Sequence, residues 1–379
     1  MRLLTAPLLP LLLHSLTTQA YTPISNDFLK AIPPPAETDF NIDSGGLLAP
    51  LLIPRVPGTP GQVKAQRHFV DFFRENLPEW EISWQNSTGT TPSSDGKQLP
   101  FQNLIIRREP PWTKQRGPGT ASFLTLVAHY DSKITPKGFI GATDSAAPCA
   151  ILMYLARTVE KELAKMWARQ QQQAAAASRE RAGNEREEEK KMPGPDVGIQ
   201  ILLLDGEEAF VSWTDTDSLY GARSLAAEWE NTTYPAMSPF KNPMRQISLF
   251  VLLDLLGAAG PTVPSYFQST HWAYQRMAAL EGRLRQMKIL ESKEGTQPFL
   301  HEGGKMAAEF SGHGFVGDDH VPFMARGADV LHIIPTPFPR VWHTAADDGK
   351  HLDMASVRDW ARIVTAFTLE WMDVQKTGT

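Results

Sequence analysis

Two adjacent carboxylates, Glu207 and Glu208, follow an apolar run in the stretch QILLLDGEEAF, residues 200–210. Bringing two negative charges to the edge of an apolar core is costly unless a cation meets them there. Similar side chains recur wherever other apolar runs stop. His129, Tyr130 and Asp131 follow SFLTLVA; Asp144 lies in GATDSA; Asp254 ends FVLLD. Asp318, Asp319 and His320 sit in GDDHVPF, and His332 and His343 in VLHIIPTPFPRVWHT. Each has a plain reading alone. Asp144 with Ser145 reads as a helix cap, Asp254 as a satisfied buried carboxylate, His332 as a core histidine, and Asp318–Asp319 as a turn. Their repeated placement at strand ends is hard to obtain from packing. Carboxylates and imidazoles without thiolates suit Zn²⁺, and a position left open for substrate or water makes such a centre catalytic. The glutamate pair then divides its tasks: one binds metal, the other moves protons.

The runs that must position these groups read as strands: 103–109, 122–132, 197–205, 247–254 and 328–335. They are nearly continuous in apolar residues, as strands covered on both faces are. Between them lie helical patterns. Thr59-Pro60 reads as a cap and first helical position, with Val63, Val70, Phe73 and Leu77 on one face. Ser145 is placed to cap a helix through CAILMYLARTVEKEL, and a last helix from about Asp353 carries Val357, Ala361, Val364, Thr368 and Trp371 on one stripe. Alternating strands and helices predict a three-layer αβα sandwich around a central mixed, mostly parallel sheet. In such sheets ligands bind beyond the carboxyl ends of the strands.

The rest of the chain bounds this reading. It has 379 residues, 42% hydrophobic content and a formal net charge of −5, which gives no basic face for nucleic acid. Residues 1–20 combine Arg2, an apolar run from Leu3 to Leu13, and small residues at Thr18 and Ala20, the pattern of a cleaved secretory signal; an uncleaved anchor holding the protein in the secretory pathway is the alternative. No other segment has the length and charge-free composition to insert in a membrane. The sequons at Asn86 and Asn231 agree with secretion and glycosylation. Cys149 is the sole cysteine, so no intrachain disulfide forms. Residues 21–58 read as a proline-rich irregular arm. Residues 164–195, with four glutamines, four alanines and a mixed-charge run, read as a low-complexity insertion: a helix end, then a solvated loop. Residues 21–379 are taken as a single domain, and as a monomer.

The motifs AHYDSK, GATDSAAPCA, LLLDGEEAF, FVLLDLLGA, DDHVPF and IPTPFPRVWHT resemble those of animal-type glutaminyl-peptide cyclotransferases, the glutaminyl cyclases, in order from about residue 60 to the end. That family shares its fold with zinc-dependent aminopeptidases. The resemblance implies one Zn²⁺ per chain, with Asp144, Glu208 and His343 as ligands and Glu207 as acid/base. It implies that Asp254 and Asp318 form the supporting hydrogen-bond network with His332 nearby, and that Trp213, His332, Phe338 and Trp342 belong to the substrate pocket. The implied reaction closes an N-terminal Gln, and more slowly Glu, of a peptide or protein to pyroglutamate. Two departures stand out. Ala128 and the lone Cys149 take the place of a disulfide near the site, and Gly317 stands where the animal enzymes have a substrate-touching glutamine.

A two-zinc aminopeptidase is the rival, with His129, Asp144, Glu208, Asp254 and His343 as ligands and Glu207 activating water. Ligand identity does not separate the two. The aromatic residues around Trp213 and Trp342 favour the cyclase, because a small closed aromatic pocket fits one Gln side chain and excludes water. A third reading, a non-enzymatic binding protein with a vestigial site, is disfavoured because no member of the constellation is missing.

Overall fold

The structure, a computed structural model, describes residues 22–181, 196–293, 295–310 and 314–375. Its centre is a six-stranded sheet of β1 (Glu81–Gly89), β2 (Leu99–Arg108), β3 (Ala121–His129), β4 (Asp196–Leu204), β5 (Ile247–Leu253) and β6 (Val330–Ile333), in the order β1-β2-β4-β3-β5-β6. The β3–β4, β3–β5 and β5–β6 pairs are parallel, while β1–β2 and β2–β4 are antiparallel. Every residue of β3 is buried, as its apolar run requires in the middle of a covered sheet.

The helices are α1 (Asn26–Ala31), α2 (Glu37–Phe40), α3 (Pro60–Asn76), α4 (Ala147–Arg181), α5 (Tyr220–Asn231), α6 (His271–Gln286), α7 (His320–Met324) and α8 (Met354–Trp371). Side chains on β3 alternate between two cores. Leu124, Leu126 and Ala128 join residues of α3, α4, α6 and α8, while Val127 joins Leu225 and Trp229 of α5 and Phe323 of α7. The three layers of the expected αβα sandwich are therefore present.

Several local expectations change. The arm before α3 is not irregular throughout: α1 and α2 form there, and Leu29, Phe40, Leu47, Leu48 and Leu51 are buried in the larger core. These residues follow no single period, which hid their role. The buried face of α3 is Ala65, Phe69, Phe72 and Phe73, and Val63 is 47% exposed. The Thr59 hydroxyl donates to the Val56 carbonyl instead of capping. The start of the supposed insertion is core: Met166 and Trp167 of α4 are buried, and Arg108 stacks its guanidinium over the Trp167 ring. The solvent-facing stretch begins at residue 168, and 182–195 lie outside the described residues, as do 1–21 with the expected signal. The last helix matches its reading, with Asp353 accepting the Ser356 N–H at its start. Cys149 is a buried free thiol, and Asn86 and Asn231 are exposed. Among the described residues, no helix is long and apolar enough to cross a membrane.

Because β3 to β6 run parallel, their carboxyl ends share one edge of the sheet. His129 pairs in register with Leu204, and Leu252 with both Val127 and His332. The segments that continue from those ends carry the polar residues singled out above.

Candidate active site

At the end of β4 the chain turns at Gly206, whose φ of +72° lies in the left-handed region. A Cβ there would run into the Phe101 ring, so only glycine allows this turn. The turn presents Glu207 and Glu208, and Asp131 beyond β3 fixes both. Its carboxylate oxygens accept the backbone N–H of Glu207 at 3.1 Å and of Glu208 at 3.2 Å. Lys133 approaches the Glu208 carboxylate at 3.5 Å and donates to the Ala209 carbonyl at 3.2 Å.

Arg55, in the segment before α3, is fully buried and holds the neighbouring loops. Its guanidinium donates to the carbonyls of Tyr130 at 2.7 Å, Ile140 at 2.7 Å and Gly141 at 3.2 Å. Gly141 opens a tight π-type turn over Ala142–Ala146 in which Asp144 and Ser145 have non-helical dihedrals. The Asp144–Ser145 peptide is cis. Neither residue caps α4: the Ser145 hydroxyl donates to Asp254 Oδ1, and Asp144 points to the imidazoles.

Asp144, Glu208 and His343 meet there. One ligand atom from each lies within 4.8 Å of the others. His343 Nε2 is 3.4 Å from Asp144 Oδ2 and 3.4 Å from Glu208 Oε2. Ligands about 2.0–2.1 Å from a tetrahedral Zn²⁺ lie about 3.3 Å apart along an edge, so these spacings suit such an ion. Asp144 Oδ2 and Glu208 Oε1 are buried without a hydrogen-bond partner, the condition a cation would relieve. Burial, with the Asp144 charge nearby, raises the Glu208 carboxyl to about 6. Burial works against a charged His343, but Asp144 and Glu208 outweigh it and raise the imidazole to about 9. The His343 shift records concentrated negative charge that wants a positive partner, and the Glu208 shift records mainly the cost of burying a carboxylate there.

The other sequence-derived residues surround this triad. Fully buried His129 lies 3.0 Å from Asp144 Oδ1 and 3.3 Å from Asp254 Oδ1 through Nε2, and its Nδ1 is 3.4 Å from Asp131 Oδ1. His129, Asp144 and Asp254 could themselves surround a cation. Yet Asp254 Oδ1 is already taken up by the Ser145 hydroxyl. Asp318 Oδ2 meets His332 Nε2 at 2.7 Å, and its Oδ1 accepts the Asp319 N–H at 2.6 Å. Burial and the Asp254 charge push the Asp318 carboxyl well above its usual range, while burial lowers His332 to about 3. The pair is thus compatible with a neutral acid facing a neutral imidazole.

A cavity of 410 Å³ opens above these groups, lined by Asp144, Glu207, Asp254 and His343 and walled by Trp213, Phe338 and Trp342. Burial, with Asp318, Glu208 and Asp319 adding to it against the pull of His129, raises the Glu207 carboxyl well above its normal value. Trp342 stacks on His343, ring centroids 3.9 Å apart, and Phe338 meets Trp342 edge-on at 4.9 Å. His332 and Asp318 are not on this wall: each is nearly inaccessible and lies behind it. His332 therefore belongs to the supporting layer, because its apolar strand β6 buries it within the sheet. Gly317 is on the wall beside the Trp213 indole nitrogen.

Asp131, Lys133, Asp217 and Arg55 were not assigned roles from sequence. Asp217 accepts the N–H groups of Phe210, Val211 and Ser212 at 2.9–3.0 Å and so fixes the loop that carries Trp213. Only Asp131 gave a signal, as one more acidic residue after an apolar run. Arg55 gave none, since its partners are backbone carbonyls distant in sequence.

The peptidase family M28 profile matches residues 112–368. A glutaminyl-peptide cyclotransferase of Bos taurus is 34% identical over 329 residues, covering 86% of this chain and 80% of the relative. A glutaminyl-peptide cyclotransferase-like protein of Bos taurus is 36% identical over 328 residues, covering 86% and 74%. The crystal structure of Macrostomum lignano glutaminyl cyclase superposes with a TM-score of 0.72 at 28% identity, covering 93% of this chain and 95% of that one.

Proposed function

This chain belongs to peptidase family M28, among its glutaminyl-peptide cyclotransferases, and we propose that it closes N-terminal glutamine of peptides and proteins to pyroglutamate with Glu207 as the proton carrier. The observation that carries this reading is that Glu207, Asp144 and His343 line one aromatic-walled cavity, and that Asp144 and His343 form a donor set there with the buried Glu208. That set would hold one Zn²⁺ per chain; bound there, the ion supplies a Lewis acid for the γ-carbonyl oxygen of the substrate.

The remaining work falls to the chain's own residues. Trp213, Phe338 and Trp342 enclose the glutamine side chain and limit water. The α-amine and the γ-carbonyl belong to one residue, so ring closure is intramolecular and much of its entropic cost is already met. As the α-nitrogen bonds to the γ-carbonyl carbon, Glu207 accepts the proton that this nitrogen loses. It returns that proton to the side-chain nitrogen, whose bond to carbon breaks to release ammonia. The raised Glu207 carboxyl brings its proton affinity toward that of the groups it serves. Asp254 and the Asp318–His332 pair stabilise the shifting charge from below. Glutamate at the N-terminus closes more slowly, the proton then going to a side-chain oxygen that leaves as water.

Turnover and metal content of Glu207→Gln test this assignment. The variant is expected to retain zinc and to lose activity by about 10²–10⁴-fold, the usual scale for a positioned acid/base. Near-normal turnover would remove Glu207 from this role.

Secretion through an N-terminal signal, glycans on Asn86 and Asn231, and a monomeric state complete the proposal. Expression in a secreting cell tests them together: cleaved, glycosidase-sensitive protein of monomer mass in the medium is expected, and cell-retained protein would contradict the first.

A further inference from the structure

A second cavity, of 320 Å³, adjoins the catalytic one, and Phe338 lines both. Two loops contribute to both. After β5, Asp254 and Leu255 face the catalytic cavity, and Ala258–Thr262 face the second. After β6, Trp342 and His343 face the catalytic cavity, and Pro339 and Arg340 the second. Thr336 and Thr262 tie the loops together: the Thr336 N–H donates to the Thr262 carbonyl, and the Thr262 hydroxyl to the Thr336 carbonyl, both at 2.8 Å. Prolines at 261, 335, 337 and 339 leave this floor few conformations to lose on binding.

The lining is mostly apolar, with two titratable side chains. His351 is engaged, its Nδ1 2.8 Å from Asp348 Oδ1. Arg340 is exposed, and among the described residues its guanidinium has neither a hydrogen bond nor a carboxylate partner. It precedes the metal-ligand candidate His343 by three residues, so their Cα atoms are separated by at most about 11 Å. A substrate peptide advances about 3.4 Å per residue when extended. A peptide anchored by its first residue therefore reaches Arg340 with its second to fourth.

We propose that this cleft is a subsite for the downstream part of the substrate, and that Arg340 selects peptides with an acidic side chain among residues two to four. The inference rests on the cyclase reading of the adjoining cavity. It adds a substrate class, since an unpaired guanidinium at an apolar edge matches a carboxylate on a short stem.

Three substrates test it with the full chain at low ionic strength: Gln-Ala-amide, Gln-Ala-Glu-Glu-Ala-amide and Gln-Ala-Lys-Lys-Ala-amide. The wild type is expected to favour the glutamate peptide over the lysine peptide by about fivefold, through KM, the scale of an exposed ion pair. Arg340→Glu is expected to abolish or reverse that ratio and to leave Gln-Ala-amide turnover unchanged. Added salt is expected to shrink the preference in the wild type. A ratio identical in wild type and Arg340→Glu, or a wild-type preference for lysine, would overturn the subsite. Calorimetric binding of the two longer peptides to Glu207→Gln supplies the same ratio without turnover. Loss of Gln-Ala-amide cyclisation by the wild type would thus count against the cyclase reading alone, while the binding ratio still decides the subsite.

Discussion

Asp131 holds Glu207 by its backbone: the Glu207 N–H donates to Asp131 Oδ1 at 3.1 Å, and the next N–H, that of Glu208, donates to Oδ2 at 3.2 Å. One carboxylate thus fixes the direction in which each glutamate leaves the chain. One is aimed at the cavity and the other at Asp144 and His343. Asp131→Asn replaces one acceptor with an NH₂ group that faces a backbone donor. The variant is expected to lose about 2 kcal/mol of stability by urea unfolding and to hold zinc about tenfold less tightly. Unchanged values in both measurements would show that the tandem needs no such clamp.

His343→Ala removes the one imidazole of the donor triad. Metal analysis after dialysis is expected to show little retained zinc, with the fold preserved by circular dichroism, because His343 sits on a surface loop with a quarter of its side chain exposed. Full zinc occupancy in this variant would place the ion elsewhere, most naturally on His129, Asp144 and Asp254.

Gly206→Ala tests the turn that delivers the tandem glutamates. The added Cβ meets the Phe101 ring, itself stacked on Tyr220 at 4.6 Å, and the positive φ disfavours any L side chain. A loss of about 1–3 kcal/mol in urea unfolding is expected. A variant as stable as the wild type would mean that the turn can relax.

How much of this was legible beforehand differs by element. The strands β3 to β6 announced themselves because a covered parallel strand is apolar on both faces, and each site residue on the wall follows such a run. The hairpin strand β1 was missed: it lies at the sheet edge, is largely exposed, and buries only Gln85. The arm before α3 was read too loosely because its buried residues are anchored by distant contacts, such as the carbonyls around Arg55. Type and position placed Asp144, Glu208 and His343 in one constellation of acidic and imidazole groups, and the family resemblance alone singled them out as metal ligands. His332 lies behind the cavity wall, as its plain reading as a core histidine has it and the pocket place implied by the resemblance does not; alternation along a four-residue strand cannot by itself separate a wall from the layer behind it.

Cys149 is expected to be inert in the folded protein. It is buried, its thiol donates to the His129 carbonyl at 3.1 Å, and burial raises it to about 12. A thiol reagent should label it only after denaturation. Because the folded-state value exceeds the unfolded one of about 9, the unfolded chain binds fewer protons between the two, and this group's contribution to stability is fully present below about 9 and falls as pH rises through that window. Rapid labelling of native protein at neutral pH would contradict this placement.

Mass spectrometry of a Gln-initiated peptide after incubation with the zinc-loaded protein tests the central claim most directly. The account expects a single product lighter by one ammonia, with every residue retained. Free glutamine beside a peptide shortened by one residue would contradict it, and would assign the same scaffold to hydrolysis.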